Sequence, residues 1–304
     1  MTLTIGLPFY NNQDTLPDAI RSVFAQSYTN WELILIDDGS RDSSLSIAQS
    51  VTDNRVRVIS DHTNQGLAKR LNQVVDLANG KYIARMDADD LMHPTRIAKQ
   101  IAMLQNNQTI DLVDTGILSI DTDTRATGKR CCQDLQITSA GLIAGQTPVH
   151  ASVVARTEWF QKHRYDATLP RAQDFELWNR AHTYHSLKIK RIPDPLYYAR
   201  EATGGTYTRT RLTHITKRKI LRQHGPASVG WRHTQQEIAK SHLKQIAYFC
   251  ASQTGMVNHL VATRNQALNH QDQQRFDESI RRILNTKIPG LTATEVARKS
   301  DSPI

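Results

Sequence analysis

Cysteine is scarce in this chain. Three stand in 304 residues, Cys131, Cys132 and Cys250. Two are adjacent and the number is odd, which argues against a disulfide framework and for reduced thiols in a cytoplasmic setting. No Cys/His spacing resembles a zinc site, and His182 and His185, three apart, read as surface or core residues. No apolar run approaches the roughly 18–20 residues that span a bilayer. The start, MTLTIGLPFY, lacks a basic segment followed by an apolar one, so no secretory leader is expected. The glycine loops that cradle phosphates are absent too: PFYNNQD stands where GxGxxG or GKS/GKT would follow the first apolar run. Internal repeats and low-complexity tracts are missing. Aromatics amount to 6%, with few in the basic C-terminal segments, which leaves little to stack on bases and argues against a nucleic-acid partner.

What remains is a soluble globular composition, 39% hydrophobic and 22% charged, in a chain long enough for a sizeable core. The net charge of +9 is unevenly placed. Residues 205–304 hold 16 Lys and Arg against 6 Asp and Glu, whereas residues 1–204 hold 22 against 23. A region that basic suggests an anionic partner, such as a phosphate-bearing lipid or membrane surface. Arg209, Arg211, Lys217, Arg218, Lys219 and Arg222 form either such a face or a merely solvated one.

The pattern along residues 3–86 alternates. LTIGL, Leu33–Ile36, RVRVIS and KYIARM read as strands, separated by helical spacing at Leu16, Ala19, Ile20 and Val23, at Leu45, Ile47 and Ala48, and through NQGLAKRLNQVVDLANG. Ser40 or Asp42 is placed to cap the second helix. Such β-α alternation predicts an α/β fold with a mostly parallel central sheet flanked by helices. Ligands bind such sheets at the carboxyl ends of the strands, and PFYNN, DDGS and DADD all fall there. Beyond residue 95 the spacing predicts a helix over 96–105, strands with a turn in DLVDTGILSID, a strand in TPVHASVVAR, a helix in QDFELWNRAHTY and a proline-interrupted strand in KIKRIPDPLYYAR. The C-terminal region reads as helical, with one apolar stripe at Ala239, Leu243, Ile246 and Cys250 and another at Phe276, Ile280, Ile283 and Leu284.

Asp87, Asp89 and Asp90 crowd the end of KYIARMDADD. Like charges repel, so they either face water or hold a cation. Alternate residues of an extended backbone share a side, so Asp87 and Asp89 can reach one ligand. Oxygen donors of this kind suit Mg²⁺ or Mn²⁺, which also neutralise phosphates. DDGS alone is a turn and a helix cap; together with DADD it reads as part of a ligand site. Asp174 alone is a helix-start charge favoured by the dipole.

TIGLPFYNN, ILIDDGSRDSS, NQGLAKRLN, YIARMDADD and QDFELW, in that order over residues 3 to 200, resemble family 2 glycosyltransferases with the GT-A fold. The resemblance implies a Rossmann-like catalytic domain over 1–204 and a basic, mainly helical extension over 205–304. It implies that Pro8, Tyr10 and Asn11 border the nucleobase, that Asp38 accepts from uracil N–H with Asp37 supporting the loop, and that Asn64, Gly66 and Arg70 line the nucleotide pocket. Asp87 then lies near the ribose and the metal, Asp89 is the metal ligand, with Mn²⁺ or Mg²⁺ as cofactor, and Asp90 supports them. Asp174 matches the catalytic base. Many relatives carry Glu-Asp there; here Gln173 precedes it, leaving one carboxylate. The implied activity is inverting transfer from a nucleotide sugar, UDP-hexose or UDP-N-acetylhexosamine, to a hydroxyl of a glycan or lipid-linked acceptor in surface polysaccharide synthesis. Such an enzyme works at the inner face of the cytoplasmic membrane. The rival reading is a sugar-nucleotide binder without catalysis. A nucleotidyltransferase is disfavoured because PFYNN is no glycine-rich basic loop. His150 is either a contact to substrate or a buried histidine, Trp178 reads as core, and PLYYAR reads as a packed strand.

Overall fold

The computed structural model describes residues 2–201, 207–254, 256 and 263–291. Its first half is β1 (Leu3–Phe9), α1 (Leu16–Phe24), β2 (Trp31–Asp37), α2 (Ser44–Ser50), β3 (Val56–Ser60), α3 (Leu67–Leu77) and β4 (Tyr82–Arg85). Then come β5 (Leu91–Met92), α4 (Arg96–Asn106), β6 (Leu112–Ile120), β7 (Ala126–Arg130), α5 (Ser139–Ala144), β8 (Val154–Arg156), α6 (Thr157–Lys162), α7 (Gln173–Thr183) and β9 (Ile189–Arg200). Among the described residues three helices follow: α8 (Tyr207–Val229), α9 (Trp231–Gln253) and α10 (His270–Leu284).

The strands form one nine-stranded sheet in the order β3-β2-β1-β4-β8-β6-β9-β5, with β7 on β6. β3, β2, β1 and β4 are parallel. β8 runs against β4 and β6, and β9 is parallel to β6. β1 and β2 are buried along their whole length, as strands covered on both faces are, which is why they read as continuous apolar runs. The chain steps outward from β1 to β3, then returns past β1 to lay down β4. The carboxyl ends of β1 and β4 therefore flank a topological switch point, the place where such sheets bind ligands. α3 crosses β1 closely because Gly6 has no side chain: a Cβ there would meet Val74 Cγ1 at 2.4 Å.

Beyond β4 the chain departs from the expected pattern. β6 is one strand, not two with a turn, because Gly116 marks a bulge. The register against β9 shifts on both sides of Gly116, opposite Pro193 and Pro195, so the prolines that lack a ladder N–H fall where the ladder is already broken and β9 runs unbroken. TPVHASVVAR gives only the short β8, preceded by a 3₁₀ turn at His150–Ser152. Buried polar anchors hold that turn: Val149 N–H donates to Asp114 and Thr115 N–H donates to Ser152 Oγ. Asp42, not Ser40, meets the start of α2, its Oδ1 accepting from Ser44 N–H at 2.9 Å.

α8 and α9 form an antiparallel hairpin turned at Gly230, tied by His214 and Arg218 to Ser241. Its inner face packs Ile220, Leu221 and Ile238 on Phe175, Leu169 and Ile143. The stripe expected on α9 is exposed instead: Leu243 is 66% and Ile246 58% accessible. The buried side of α9 is Thr234, Glu237, Ile238 and Ser241, so small and polar residues make the seam and the apolar row faces out. α10 buries three of its four stripe residues, setting Phe276, Ile280 and Ile283 against Leu91, Leu118 and Tyr198, while Leu284 at its end is exposed. The expected division at 204/205 lies outside the described residues. Among the described residues no helix is long and apolar enough to cross a membrane.

His93, just after β5, links the fold to pH. Its Nδ1 accepts from Thr95 N–H at 3.1 Å, which requires a neutral ring. Burial, then the charges of Arg275 and Lys99, push its pKa down to about 4 from 6.5. A histidine held neutral in the fold contributes stability that is complete above the unfolded pKa and lost as pH falls through the folded one. The urea midpoint is therefore expected to drop between pH 6.5 and 4, and His93→Gln is expected to flatten that drop; an equal slope in both proteins would exclude His93 as a contributor.

Candidate active site

The loops after β1 and β2 are stitched together. Asn11, at φ 53°, donates its N–H to Ser40 Oγ at 3.1 Å and accepts from Arg41 N–H at 2.8 Å. Gln13 N–H donates to Asp42. Pro8 is buried and Tyr10 is 43% exposed above it. Asp37, fully buried, accepts from Ser40 N–H and Ser60 Oγ, the supporting part expected of it.

Asp38 sits in a nest of donors. Oδ1 accepts from Gln65 N–H at 2.7 Å and from Arg70 Nε at 2.8 Å, and Gly66 N–H is shared between the two oxygens at 3.2 and 3.1 Å. Gly66 adopts φ 84°, a left-handed conformation that turns its N–H inward at little cost for a glycine. Asn64 Nδ2 donates to the Asp38 carbonyl. Oδ2 carries a single bond, so one lone pair remains for a ligand N–H. Arg70 is 1% exposed and uses all five N–H groups on Asp38, Asp61, Gln73 and the Thr63 carbonyl. It acts on this site through Asp38 and has no donor left for a phosphate.

One strand over, β4 ends opposite Gly6 of β1, and the three acids follow. One carboxylate oxygen from each of Asp87, Asp89 and Asp90 lies within 4.8 Å of the others, a spacing that a single hard cation with oxygen ligands spans. They are not equivalent. Asp87 is gripped by buried Arg85 at 2.6 and 3.1 Å. Asp90 is buried and accepts from Tyr197 OH and Arg200 N–H, each at 2.7 Å. Asp89 is exposed at its surface, yet partial desolvation of its carboxylate, then the charge of Asp87, raises its pKa. Burial, then Asp89 and Asp87, raises that of Asp90 well above the usual range. Asp87 and Asp89 thus keep carboxylate oxygens accessible, while Asp90 is buried and fixes the loop beneath them.

Asp174 is half-buried in the first turn of α7. Among the described residues it makes no hydrogen bond or ion pair, so its carboxylate is available. It and Asp87 both bear on the Tyr165 hydroxyl, whose pKa burial raises. Tyr165 OH is 2.8 Å from His150 Nε2. His150 is held neutral by burial and then by Arg85, and its ring meets Trp178 edge-on at 6.0 Å. His150 is only partly buried and is engaged by Tyr165 OH, whereas Trp178 is core, fully buried. Asp174 and Asp87 of the acid rim thus both neighbour the Tyr165–His150–Trp178 aromatic cluster. Among the described residues no hydrogen bond joins the Asp38 nest to the acid rim; β1 beside β4 brings the two groups together.

The sequence did not single out Arg85 or Tyr197. Arg85 was findable, since it stands two residues before Asp87 on a strand and shares its side. Tyr197 was not, because it reaches the acids across 107 residues.

Comparison with known proteins bears on this site. The family model described as glycosyl transferase family 2 matches residues 4–164. The putative glycosyltransferase EpsE of Bacillus subtilis is 32% identical over 226 residues, covering 72% of this chain and 80% of that protein. A Staphylococcus aureus TarS structure, residues 1–349 in complex with UDP-GlcNAc, superposes with a TM-score of 0.62 at 18% identity, over 92% of this chain and 79% of that one. A mannosyltransferase from Pyrobaculum calidifontis, in complex with GDP-Man and Mn²⁺, gives 0.59 at 12% identity, over 93% and 84%. At those identities the two structures share the fold with this chain.

Tyr197→Phe tests how the acid rim is held. The ring stays packed while Asp90 loses a donor and Asp87 N–H loses an acceptor. Mn²⁺ affinity, read by titration calorimetry, is expected to weaken about tenfold, the usual size for a partner of a ligand loop. Unchanged affinity would mean that the hydroxyl does not position the acids.

Proposed function

This chain belongs to glycosyltransferase family 2, and from that premise we propose that it moves a hexose or N-acetylhexosamine from a UDP-sugar, with inversion, to a hydroxyl of a lipid-linked or surface glycan. The observation that carries the reading is the convergence of the Asp87, Asp89 and Asp90 carboxylates at the end of β4, with the unpaired Asp174 beside the same aromatic cluster as Asp87.

The roles follow from chemistry. Asp38 Oδ2 accepts from the uracil N–H, with Asn64, Gly66 and Arg70 fixing its nest and Pro8, Tyr10 and Asn11 bordering the base. Asp87 lies beside the ribose, and Asp87 with Asp89 holds Mn²⁺ or Mg²⁺. Hard oxygen donors match those ions; when bound, the ion supplies positive charge for the diphosphate leaving group. Asp174 takes the proton from the acceptor hydroxyl, whose own pKa is far above 7. The hydroxyl oxygen forms its bond to the anomeric carbon as the bond to the diphosphate oxygen breaks, and the electron pair leaves with UDP. Attack on the face opposite the leaving group turns an α-linked donor into a β-glycoside. The bound nucleotides named for the two solved structures, UDP-GlcNAc and GDP-Man, support a nucleotide-sugar donor. Asp174→Asn is expected to lower transfer by about 10²–10⁴-fold, followed as UDP release, with UDP binding retained by calorimetry. Transfer at the wild-type rate would remove Asp174 from the role of base.

The acceptor side supports work at the cytoplasmic face of a membrane. α8 and α9 expose Leu212, Ile215, Leu243, Ile246 and Phe249 among Arg209, Arg211, Lys219, Arg222 and Lys244, all exposed. An apolar row rimmed by cations suits the interface of an anionic bilayer, with about 1 kcal/mol from each basic residue near the surface. Residues 1–204 are read as the catalytic unit and the hairpin as its attachment. Co-sedimentation with phosphatidylglycerol vesicles is expected, weakened by salt and by Leu243→Glu with Ile246→Glu. Absence of binding, or equal binding by the variant, would overturn the attachment.

A further inference from the structure

The acids at the strand ends have a counterpart in cations beside Asp174. Lys217 projects from α8 with its Nζ 5.1 Å from the centre of the Phe175 ring. It is half-buried; burial lowers its pKa, while the neighbouring Asp174 acts in the opposite sense and Lys244 of α9 adds to the lowering. Arg171, half-buried, leads into α7 three residues before Asp174, and burial, then the charge of Arg209, acts on it in the same direction.

These cations are poorly neutralised. α8 and α9 carry nine Lys and Arg against the single acid Glu237. Apart from Asp174, the nearby carboxylates serve others: Glu237 pairs with Lys240, and Glu176 with Arg180. Among the described residues no ion pair reaches Arg171, Arg209, Lys217 or Lys244. A solvated basic face would point its side chains outward. Lys217, beside Asp174, and Arg171, beside Arg209, are instead partly withdrawn from water, which costs free energy unless an anion joins them.

We propose that Arg171 and Lys217, backed by Arg209 and Lys244, bind the phosphate or diphosphate of the acceptor and so present its hydroxyl to Asp174. This rests on the reading of Asp174 as the base. Ammonium and guanidinium donors make charge-assisted bonds to phosphate oxygens. A lipid diphosphate and a phosphodiester polymer offer that same chemistry. The site assigns a task to α8, which lies outside the 4–164 segment that defines the family match.

The test uses the full chain free of divalent metal, titrated with inorganic pyrophosphate by calorimetry. Wild type is expected to bind it; Lys217→Met and Arg171→Met are expected to bind at least about tenfold more weakly, and Lys217→Arg to keep most of the affinity. Circular dichroism melts check that each variant is folded. UDP is expected to leave pyrophosphate bound. Displacement by UDP would assign the cations to the donor, and undiminished binding by both Met variants would dismiss the site. In turnover, Lys217→Met is expected to raise KM about tenfold for a phosphate-bearing acceptor while leaving the KM of the donor and of the phosphate-free saccharide unchanged. Comparing a short-chain lipid diphosphate saccharide with a phosphodiester-linked oligomer identifies the source. Pyrophosphate binding does not depend on transfer, so loss of the base assignment through Asp174→Asn would leave this result standing on its own.

Discussion

The acid rim depends on one buried cation. Arg85 is 5% exposed at the end of β4, and its guanidinium spans both oxygens of Asp87. Burial works against its charge, but the carboxylate of Asp87 more than offsets that and holds it protonated. Arg96, wholly buried, donates to the Arg85 carbonyl from below; burial brings its pKa down to about 10, which leaves it charged at neutral pH. Three carboxylates crowded together would otherwise favour protonation. The Arg85 cation underneath sets a positive charge against the Asp87 carboxylate and so offsets part of the repulsion among the three acids.

Both signs of charge occur on each side of the candidate site. The three acids after β4 are set on Arg85, while on the α7–α8 side Asp174 lies among Arg171, Lys217 and Arg209, with Tyr165, His150 and Trp178 between the two groups. The neutral cluster matters too: an ionised histidine there would compete with Arg85 for the same acids, and burial of His150 prevents it.

The sequence made the front half of this arrangement legible and the back half much less so. β1 to β4 follow strict alternation of strand and helix, so DDGS and DADD were placed at strand ends from spacing alone. The later strands depend on distant partners. β5 has two residues, too few for any period, and exists because β9 pairs with it. Gly116 looked like a turn because a bulge and a turn share glycine, and only the opposing prolines separate them. On α9 the apolar row was readable but its direction was not, since a helical stripe reports one face and does not say whether that face meets protein or something else. Lys217 was noticed only as one of many cations; its placement against Phe175 comes from packing of α8 on α7.

The bonds from Asp90 to Tyr197 and to Arg200 N–H join positions 107 and 110 apart in the chain. The DADD loop is therefore latched by the last strand of the sheet. During synthesis, β1 to β4 can assemble long before β9 emerges, but the acids then lack the clasp that sets their spacing. The arrangement of the three acids is thus complete only once β9 has joined the sheet, a contact between segments far apart in the chain.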